Sequence, residues 1–253
     1  MESSLEDIQF LASSANRVRI LTTLIDRRST RRELKEEVDC SRSTVARILD
    51  EAQERGWVDA EGRRYVLTPL GETMVTDFRS YLETVEGLER FGDTINHFPP
   101  PLFSLDFHHF RDAVVVEPTA EDPAAPFTRA FYLFREATEY RGLSFTAFPD
   151  FVKVLRDGVD QGRLDFEHVV EKAFIETVRS NPERSAVWSS LSDRIWLYEG
   201  TVHLSMHIID GTVLVWLGKS RGEAKALLES ENPEVLSWAE SLYEEYKTDA
   251  EMW

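Results

Sequence analysis

Arginine and hydroxyl side chains cluster before residue 50 of this 253-residue chain. Arg42, Ser43, Thr44 and Arg47 lie close together in the sequence. An arginine can donate two hydrogen bonds to one guanine, and serine or threonine can bond a base or a phosphate. Further arginines suit contact with a phosphate backbone: Arg31, Arg32, Arg63 and Arg64. These residue types predict a contact surface for double-stranded DNA, provided that the fold presents them together.

Two helices are predicted ahead of this cluster. Apolar residues at steps of three and four predict a long first helix from Leu5, with a break near Ser13-Ser14. Thr30 and Glu33 have the spacing of a capping box, in which a hydroxyl and a carboxylate satisfy the open amides of a new helix. The second helix therefore runs from Thr30 to about Val38.

The cluster itself falls on a third helix, which Ser41 caps and Gly56 ends. Its inward-facing residues are Val45, Ile48, Leu49 and Ala52. Residues 57–58 and 65–67 then predict a hairpin with its turn at Glu61-Gly62. Three helices and a hairpin predict a winged helix-turn-helix, whose third helix can enter the major groove, about 12 Å wide.

The charge distribution agrees with this interpretation. The chain carries 29 basic and 46 acidic residues, a net charge of -17. Residues 1–70 are nearly neutral, with 12 basic and 13 acidic residues, so the excess negative charge lies in the rest of the chain. A relatively basic segment in an acidic protein favours approach to a polyanion. Arginine also outnumbers lysine strongly, and this pattern with the acidity predicts a halophilic source.

The N-terminal motifs resemble those of archaeal winged helix-turn-helix regulators. The likeness rests on Leu34, Ser41-Arg42-Ser43-Thr44-Val45, Leu49, Gly56-Trp57-Val58 and Leu67-Thr68-Pro69-Leu70-Gly71. It implies that residues 1–70 form a DNA-binding domain. The alternative is a winged helix that serves only for protein interaction, and the arginine pairs argue against it.

A helical connector is predicted at residues 71–101. One apolar stripe runs along it, formed by Met74, Phe78, Tyr81, Leu82, Val85, Leu88 and Phe91, and three prolines end it at Pro99-Pro100-Pro101. Such a face predicts a homodimer, because a two-fold dimer presents two reading helices, the helices that enter the major groove, to a palindromic site. The alternative is packing of the stripe onto the second domain.

Residues 102–253 predict an α/β domain, so that the fold class of the whole chain is α/β. Strands are predicted at residues 113–117, 143–148, 164–170, 194–198, 203–209 and 212–218, and helices at 124–139, 150–161, 171–180, 221–230 and 232–247. Asp210-Gly211 predicts a two-residue hairpin turn between the last two strands. Aromatic residues could form a pocket or simply a core: Phe131, Tyr132, Phe134, Phe145, Phe148, Trp188, Trp196 and Trp216.

His203-x-Ser205-(x)4-Asp210 resembles the His-x-Lys-(x)4-Asp motif of phospholipase D-like domains, with Ser205 in place of the lysine. The order of the two domains is similar to that of TrmB-like regulators. The resemblance implies a domain that binds an effector near His203, Ser205 and Asp210 without cleaving it, and neutral hydrogen bonding favours a sugar-like effector. The alternatives are a dimeric regulator without a ligand and a phosphodiesterase with an accessory winged-helix domain.

No metal or cofactor is expected. His203 and His207 are four residues apart, but on a strand this spacing covers about 13 Å, too far for one ion. Cys40 is the single cysteine, so no internal disulfide can form; its position between two helices indicates packing, and a redox switch is the alternative. With no apolar run long enough to span a membrane and no basic, apolar leader, the chain is expected to be cytoplasmic.

Overall fold

The computed structural model describes residues 2–221 and 223–253. Internal contacts divide the chain into two units, Met1–Glu86 and Gly87–Trp253. The predicted connector is therefore shared between the units. Within the described residues, no helix is long and apolar enough to cross a membrane.

The first unit contains five helices and a small antiparallel sheet. Its elements are α1 (Glu2–Ala12), α2 (Ala15–Asp26), β1 (Ser29–Thr30), α3 (Arg31–Val38), α4 (Arg42–Glu54), β2 (Val58–Glu61), β3 (Arg64–Leu67) and the start of α5 (Pro69–Phe91). The strand order is β1-β3-β2. The first predicted helix is divided in two, as the Ser13-Ser14 pair indicates, and the hairpin lies where the turn at Glu61-Gly62 predicts it.

Local hydrogen bonds explain where α3 and α4 begin. Thr30 and Glu33 form the predicted capping box at α3. Asp39, at φ 50°, turns the chain between the two helices in the left-handed conformation that aspartate tolerates better than most residues. The Ser41 hydroxyl then accepts a hydrogen bond from the Thr44 amide at 3.0 Å. The inward faces of these helices join one core with Trp57.

The Thr68-Pro69-Leu70-Gly71 segment attaches α5 to the rest of the first unit. The Thr68 hydroxyl donates to the Gly56 carbonyl at 2.7 Å and accepts from the Gly71 amide at 3.1 Å. A Cβ at Gly71 would lie 2.0 Å from the Trp57 carbonyl oxygen, so only glycine permits this approach. The motif therefore has a structural role, the attachment of α5, that does not depend on DNA binding.

The second unit is an α/β structure, as predicted. After the end of α5 and three 3-10 turns, Gly92–His97, Pro100–Ser104 and Phe107–Phe110, the elements are β4 (Val114–Val116), α6 (Ala125–Glu136), β5 (Glu139–Ser144), α7 (Pro149–Asp160), β6 (Asp165–Glu171), α8 (Lys172–Arg179), α9 (Pro182–Ser189), a 3-10 turn (Ser192–Arg194), β7 (Ile195–Tyr198), β8 (Met206–Ile209), β9 (Thr212–Leu217), β10 (Ala226–Ser230), α10 (Pro233–Thr248) and β11 (Glu251–Met252).

These strands form one mixed sheet of eight, in the order β11-β7-β6-β5-β8-β9-β10-β4. Strands β5, β6 and β7 are parallel neighbours, and β8 pairs antiparallel with both β5 and β9. One core packs helices α6 to α9 onto one face, and a second core packs α10 and the 3-10 turns onto the other. Alternation along β8 divides its residues between the two cores, with Ile208 in one and Ile209 in the other.

The predicted helix at residues 221–230 is wrong. Residues 226–230 form β10, which pairs with β9 and β4, and Gly222 lies outside the described residues. Alanine, leucine and glutamate favour a helix locally, but pairing between two strands and burial on both faces outweigh that preference. Helix α9 was not predicted, and β5 begins four residues before the predicted strand.

Candidate functional site

Helix α4 presents polar side chains along one exposed face. Its buried residues lie opposite, so Arg42, Ser43 and Arg47 are exposed while Thr44 is half-buried. The Ser41 hydroxyl also lies 2.8 Å from the hydroxyls of both Ser43 and Thr44. Arg42 and Arg47 therefore extend beyond a hydroxyl cluster at the N-terminal end of the helix.

Most of the arginines predicted to contact DNA are paired with carboxylates of the same unit. The pairs are Arg31–Asp50 at 2.8 Å, Arg32–Glu36 at 3.0 Å, Arg47–Glu51 at 3.0 Å and Arg64–Glu33 at 3.7 Å. Their side chains are largely exposed except Glu51, which is 29% exposed and also bonds Arg17 at 2.7 Å. Exposed pairs contribute at most about 1 kcal/mol. A phosphate could therefore replace these carboxylates at modest cost.

Arg42 and Arg63 differ from these four arginines. Both are exposed, and neither has a carboxylate oxygen within 4.0 Å among residues 2–221 and 223–253. Arg63 follows Gly62, whose φ of 65° makes the tight turn of the hairpin. The tip of the hairpin and the start of α4 thus each hold one arginine whose charge is not neutralised by a neighbouring acid.

The second unit contains a partly open cavity between its sheet and helices α6, α7 and α9, which we call the effector chamber for the role that we propose for it. Its empty volume, mouth included, is about 590 Å³. It is lined by Phe134, Tyr140, Phe145, Thr146, Ala147, Phe148, Phe151, Val152, Leu155, Phe166, His168, Trp188, Ser205, His207, Trp216, Glu223 and Ala224. Five of the predicted pocket aromatics line it, whereas Phe131, Tyr132 and Trp196 do not.

A line of hydrogen bonds crosses the chamber wall. The Trp216 indole donates to Nε2 of His207 at 3.2 Å, so that nitrogen carries a lone pair and the proton of a neutral His207 lies on Nδ1. Nδ1 lies 2.8 Å from the Tyr140 hydroxyl, which lies 3.4 Å from Nδ1 of His168. Nε2 of His168 ends the line 2.8 Å from the Ser144 hydroxyl. The indole thus fixes the direction in which the line can donate.

Both imidazoles of this line are neutral at physiological pH. Burial lowers the pKa of His168 to about 3. Burial, together with repulsion from His168, lowers the pKa of His207 to about 3 as well. Burial also raises the pKa of the Tyr140 phenol well above its usual range. The chamber therefore offers hydrogen-bonding groups without charge.

Ser205 is a buried polar residue of the chamber whose side chain remains unpaired. The residue is 6% exposed, and its hydroxyl has no hydrogen-bond partner among the described residues. A buried polar atom without a partner costs about 1–3 kcal/mol. A ligand or a water molecule that bonds to this hydroxyl would remove that cost.

The other two predicted effector residues do not join Ser205 in the chamber. His203 is exposed and lines a neighbouring outer cleft, which shares Phe145, Ser205, Trp216 and Glu223 with the chamber. Asp210 lies at the turn after β8, a strand length away. Its carboxylate accepts hydrogen bonds from the Thr138 hydroxyl at 2.6 Å and the Glu139 amide at 2.8 Å. Of the predicted group, His203 and Ser205 therefore line the outer cleft together, and Asp210 is separate from both.

The role of Asp210 is structural in this geometry. Burial alone would raise the pKa of its carboxyl, but hydrogen bonds from Thr138 and Glu139 outweigh burial and hold the pKa below its usual range. Asp210 itself adopts φ 47°, the left-handed conformation of a tight turn. It ties the β8–β9 turn to the start of β5.

Sequence analysis missed Tyr140, His168 and His207. One signal was available, because Gly142 interrupts strand β5 and a glycine inside a strand often marks a close approach. A Cβ at Gly142 would lie 2.5 Å from the Tyr140 hydroxyl and 2.9 Å from Nδ1 of His168. The absent side chain leaves room for the hydrogen-bonded line.

One group of described residues could hold a metal ion. Asp106, His108 and His109 place one potential ligand atom each within 4.8 Å of one another. Nδ1 of His108 is buried without a hydrogen-bond partner among the described residues. The sequence predicts no metal, and the three side chains belong to neither of the sites above.

The chain thus combines a helix-and-hairpin unit that carries exposed arginines with an α/β unit that contains a largely apolar chamber. Residues 5–90 match the family model of the HVO_A0261 N-terminal domain, and residues 123–249 match that of the middle domain of the methanogenesis regulatory protein FilR1. The second match covers half of the chain, which therefore belongs to the FilR1 middle-domain family. Together, the two matches support a transcriptional regulator.

Similarity to solved structures is weak. The archaeal chromatin protein TrmBL2 is 13% identical, with a TM-score of 0.43 over 98% of this chain and 100% of that chain. Nuc, a phospholipase D family member from Salmonella typhimurium, is 17% identical, with a TM-score of 0.41 over 56% of this chain and 97% of that chain. The methyltransferase CalO1 has 16% identity and a TM-score of 0.24 over 78% and 63%. No curated protein matches the sequence.

Proposed function

We propose that this protein is a sequence-specific transcriptional regulator whose N-terminal unit binds double-stranded DNA as a winged helix-turn-helix. The observation that carries the proposal is the exposed, unneutralised Arg42 at the start of α4, beside a hydroxyl cluster. A helix inserted N-terminus first brings such residues to base edges. The family of the second unit, whose model is named for a regulatory protein, supports the same function.

The arginines divide into two roles under this proposal. Arg42 and Arg47 on α4 read bases, because they project from the exposed face of the inserted helix. Arg63 at the hairpin tip contacts phosphates and adds affinity without sequence preference. Arg31, Arg32 and Arg64 also contact phosphates, after giving up their carboxylate partners.

We also propose a homodimer, supported by exposed apolar side chains on α5. Tyr81 is 64% exposed and Leu88 is 36% exposed, although both lie in the predicted apolar stripe. By contrast, Phe91 at the end of the stripe is buried in the second unit. Pairing of two copies through this helix would cover the exposed part of the stripe and set the spacing of two reading helices.

The second unit is proposed to bind a small-molecule effector in the effector chamber without chemical conversion. An unpaired hydroxyl in a largely apolar cavity supports binding. The predicted acid of a hydrolytic site, Asp210, is occupied by Thr138 and Glu139 and is separate from His203. The apolar lining does not favour the sugar-like effector that the sequence predicts, because each buried sugar hydroxyl requires its own partner.

Selection of DNA from a random duplex library tests the proposed function. The immobilised protein should enrich one sequence motif over successive rounds, in a series of selections from low to molar KCl. Arg42→Ala should enrich a motif that is degenerate at one or two positions, since it removes one base contact. Arg111→Ala is the matched control, because it removes the same charge from an exposed position in the second unit and should enrich the unchanged motif. Failure of the unaltered protein to enrich any motif would refute the proposal.

A further inference from the structure

The walls of the effector chamber are largely aromatic. The rings of Phe151 and Trp216 are 6.2 Å apart and inclined by only 19°, whereas the Phe148 ring, 6.0 Å from Trp216, is inclined to it by 56°. On the sheet side, Tyr140 and Phe166 stack at 5.2 Å and 9°. Aromatic rings associate preferentially in offset-stacked or edge-to-face arrangements. The shape of the chamber therefore favours a planar guest.

The number of hydrogen bonds that the chamber can offer is small. The imidazole nitrogens of His168 and His207 and the Tyr140 hydroxyl already bond to one another and to their neighbours. The Ser205 hydroxyl is the buried side-chain group of the lining with no partner among the described residues. A guest with one polar group is thus satisfied there, whereas a guest with many hydroxyls would leave most of them unpaired and desolvated.

The interior also lacks a cation that could hold an anionic guest. None of the lining residues is lysine or arginine. Because the Trp216 indole donates to Nε2 of His207, that imidazole cannot be doubly protonated while the bond exists. Glu223, at the exposed mouth, accepts a hydrogen bond from the Lys219 amide and adds negative charge there. Burying a carboxylate or phosphate in this space would leave its charge without compensation.

We propose that the effector chamber binds an uncharged, planar, largely apolar molecule of one or two rings that carries a single hydrogen-bonding group, and that this group pairs with the Ser205 hydroxyl. The empty volume of about 590 Å³ includes open solvent at the mouth, so the part of the chamber between the aromatic walls suits only a small guest. This assignment rests on the proposed effector-binding function and names the ligand class of the same chamber.

Calorimetric titration of the full chain tests the assignment with four probes. Indole has one N–H donor on two fused rings, indene has the same shape without the donor, glucose is polar and neutral, and benzoate is charged. Indole should bind saturably, indene more weakly, and glucose and benzoate not at all. Glucose or benzoate binding at least as tightly as indole would overturn the assignment, as would the absence of saturable indole binding.

Three variants locate the bound probe. Ser205→Ala should weaken indole binding by roughly 2- to 10-fold and leave indene binding unchanged, since one neutral hydrogen bond is removed. Ala224→Trp, which fills the mouth, should abolish indole binding. His203→Ala is the control, because His203 lines the outer cleft and not the chamber. If His203→Ala abolished indole binding and Ser205→Ala did not, the chamber assignment would be wrong. Ser205→Ala removes a single atom and keeps the test valid even if Ala224→Trp fails to fold.

Operator binding by the same preparations separates this inference from the proposed function. A protein that enriches a DNA motif but binds glucose in place of indole retains the regulatory function and contradicts the ligand class. A protein that binds indole through Ser205 but enriches no DNA motif confirms the ligand class and contradicts the regulatory function.

Discussion

Mild acidification should destabilise the second unit through His168 and His207. Burial lowers the pKa of both imidazoles to about 3 in the folded protein, whereas an unfolded histidine has a pKa of about 6.5. Between these values the unfolded chain binds more protons than the folded chain. The free energy of unfolding is therefore unaffected well above pH 6.5 and falls as the pH falls towards 3.

The magnitude follows from these two pKa values. Between pH 7 and pH 5.5, each histidine should lower the free energy of unfolding by about 1.2 kcal/mol, and the pair by about 2.5 kcal/mol. A typical domain has only about 5–15 kcal/mol of stability, so the loss should be easy to measure. This pH window also stays above the isoelectric point of about 4.8, where the protein would lose its net charge.

Urea unfolding followed by tryptophan fluorescence is a suitable assay, because five of the six tryptophans lie in the second unit. His168→Gln should lose about half of the pH dependence, whatever its effect on stability at pH 7. His203→Gln, at an exposed position, should keep all of it. The carboxylates contribute equally to the pH dependence of both variants, so the difference between the variants comes from the histidines. An unchanged pH dependence in His168→Gln would refute the claim that burial keeps His168 neutral in the folded protein.

Three further changes test other parts of the structure. Arg63→Ala should weaken binding to operator and scrambled DNA alike, as measured by fluorescence anisotropy, and should reduce the slope of log affinity against log salt by about 1. A loss of affinity for the operator alone would contradict the assignment of Arg63 to phosphate contact. Gly71→Ala should destabilise the first unit by about 3 kcal/mol, because its Cβ would meet the Trp57 carbonyl, whereas Leu70→Ala at an exposed position should cost under about 0.5 kcal/mol in thermal unfolding. Tyr81→Glu should convert the proposed dimer to a monomer in light scattering, while Tyr132→Glu, equally exposed, should not.

Local signals in the sequence predicted the first unit closely. The capping box at Thr30 and the Ser41 cap fix where two helices begin, and both depend on residues within three positions of each other. The order of strands in the second unit could not be predicted in the same way, because β5 pairs with β8 more than sixty residues later. For this reason, the helix-forming composition around Leu227 led to the wrong prediction of a helix.

In the candidate sites, too, residues close together in the sequence could be predicted, whereas residues brought together by strand pairing could not. The reading residues on α4 could be named because the apolar period of the helix leaves Arg42 and Arg47 outside its buried stripe. The effector chamber combines residues from β5, β6, β8 and β9, and Tyr140, His168 and His207 meet only when these strands are adjacent. Ser205 was predicted, but on a resemblance that also suggested Asp210, which the fold places elsewhere.

Comparison of operator and scrambled duplexes by fluorescence anisotropy tests the central claim most directly. At one salt concentration, the protein should bind its selected operator at least about 1,000-fold more tightly than a scrambled duplex. Arg42→Ala should lose about 1–3 kcal/mol of affinity for the operator and little for the scrambled duplex. Equal affinity of the unaltered protein for the two duplexes, or full discrimination by Arg42→Ala, would contradict the assignment of α4 as the reading helix.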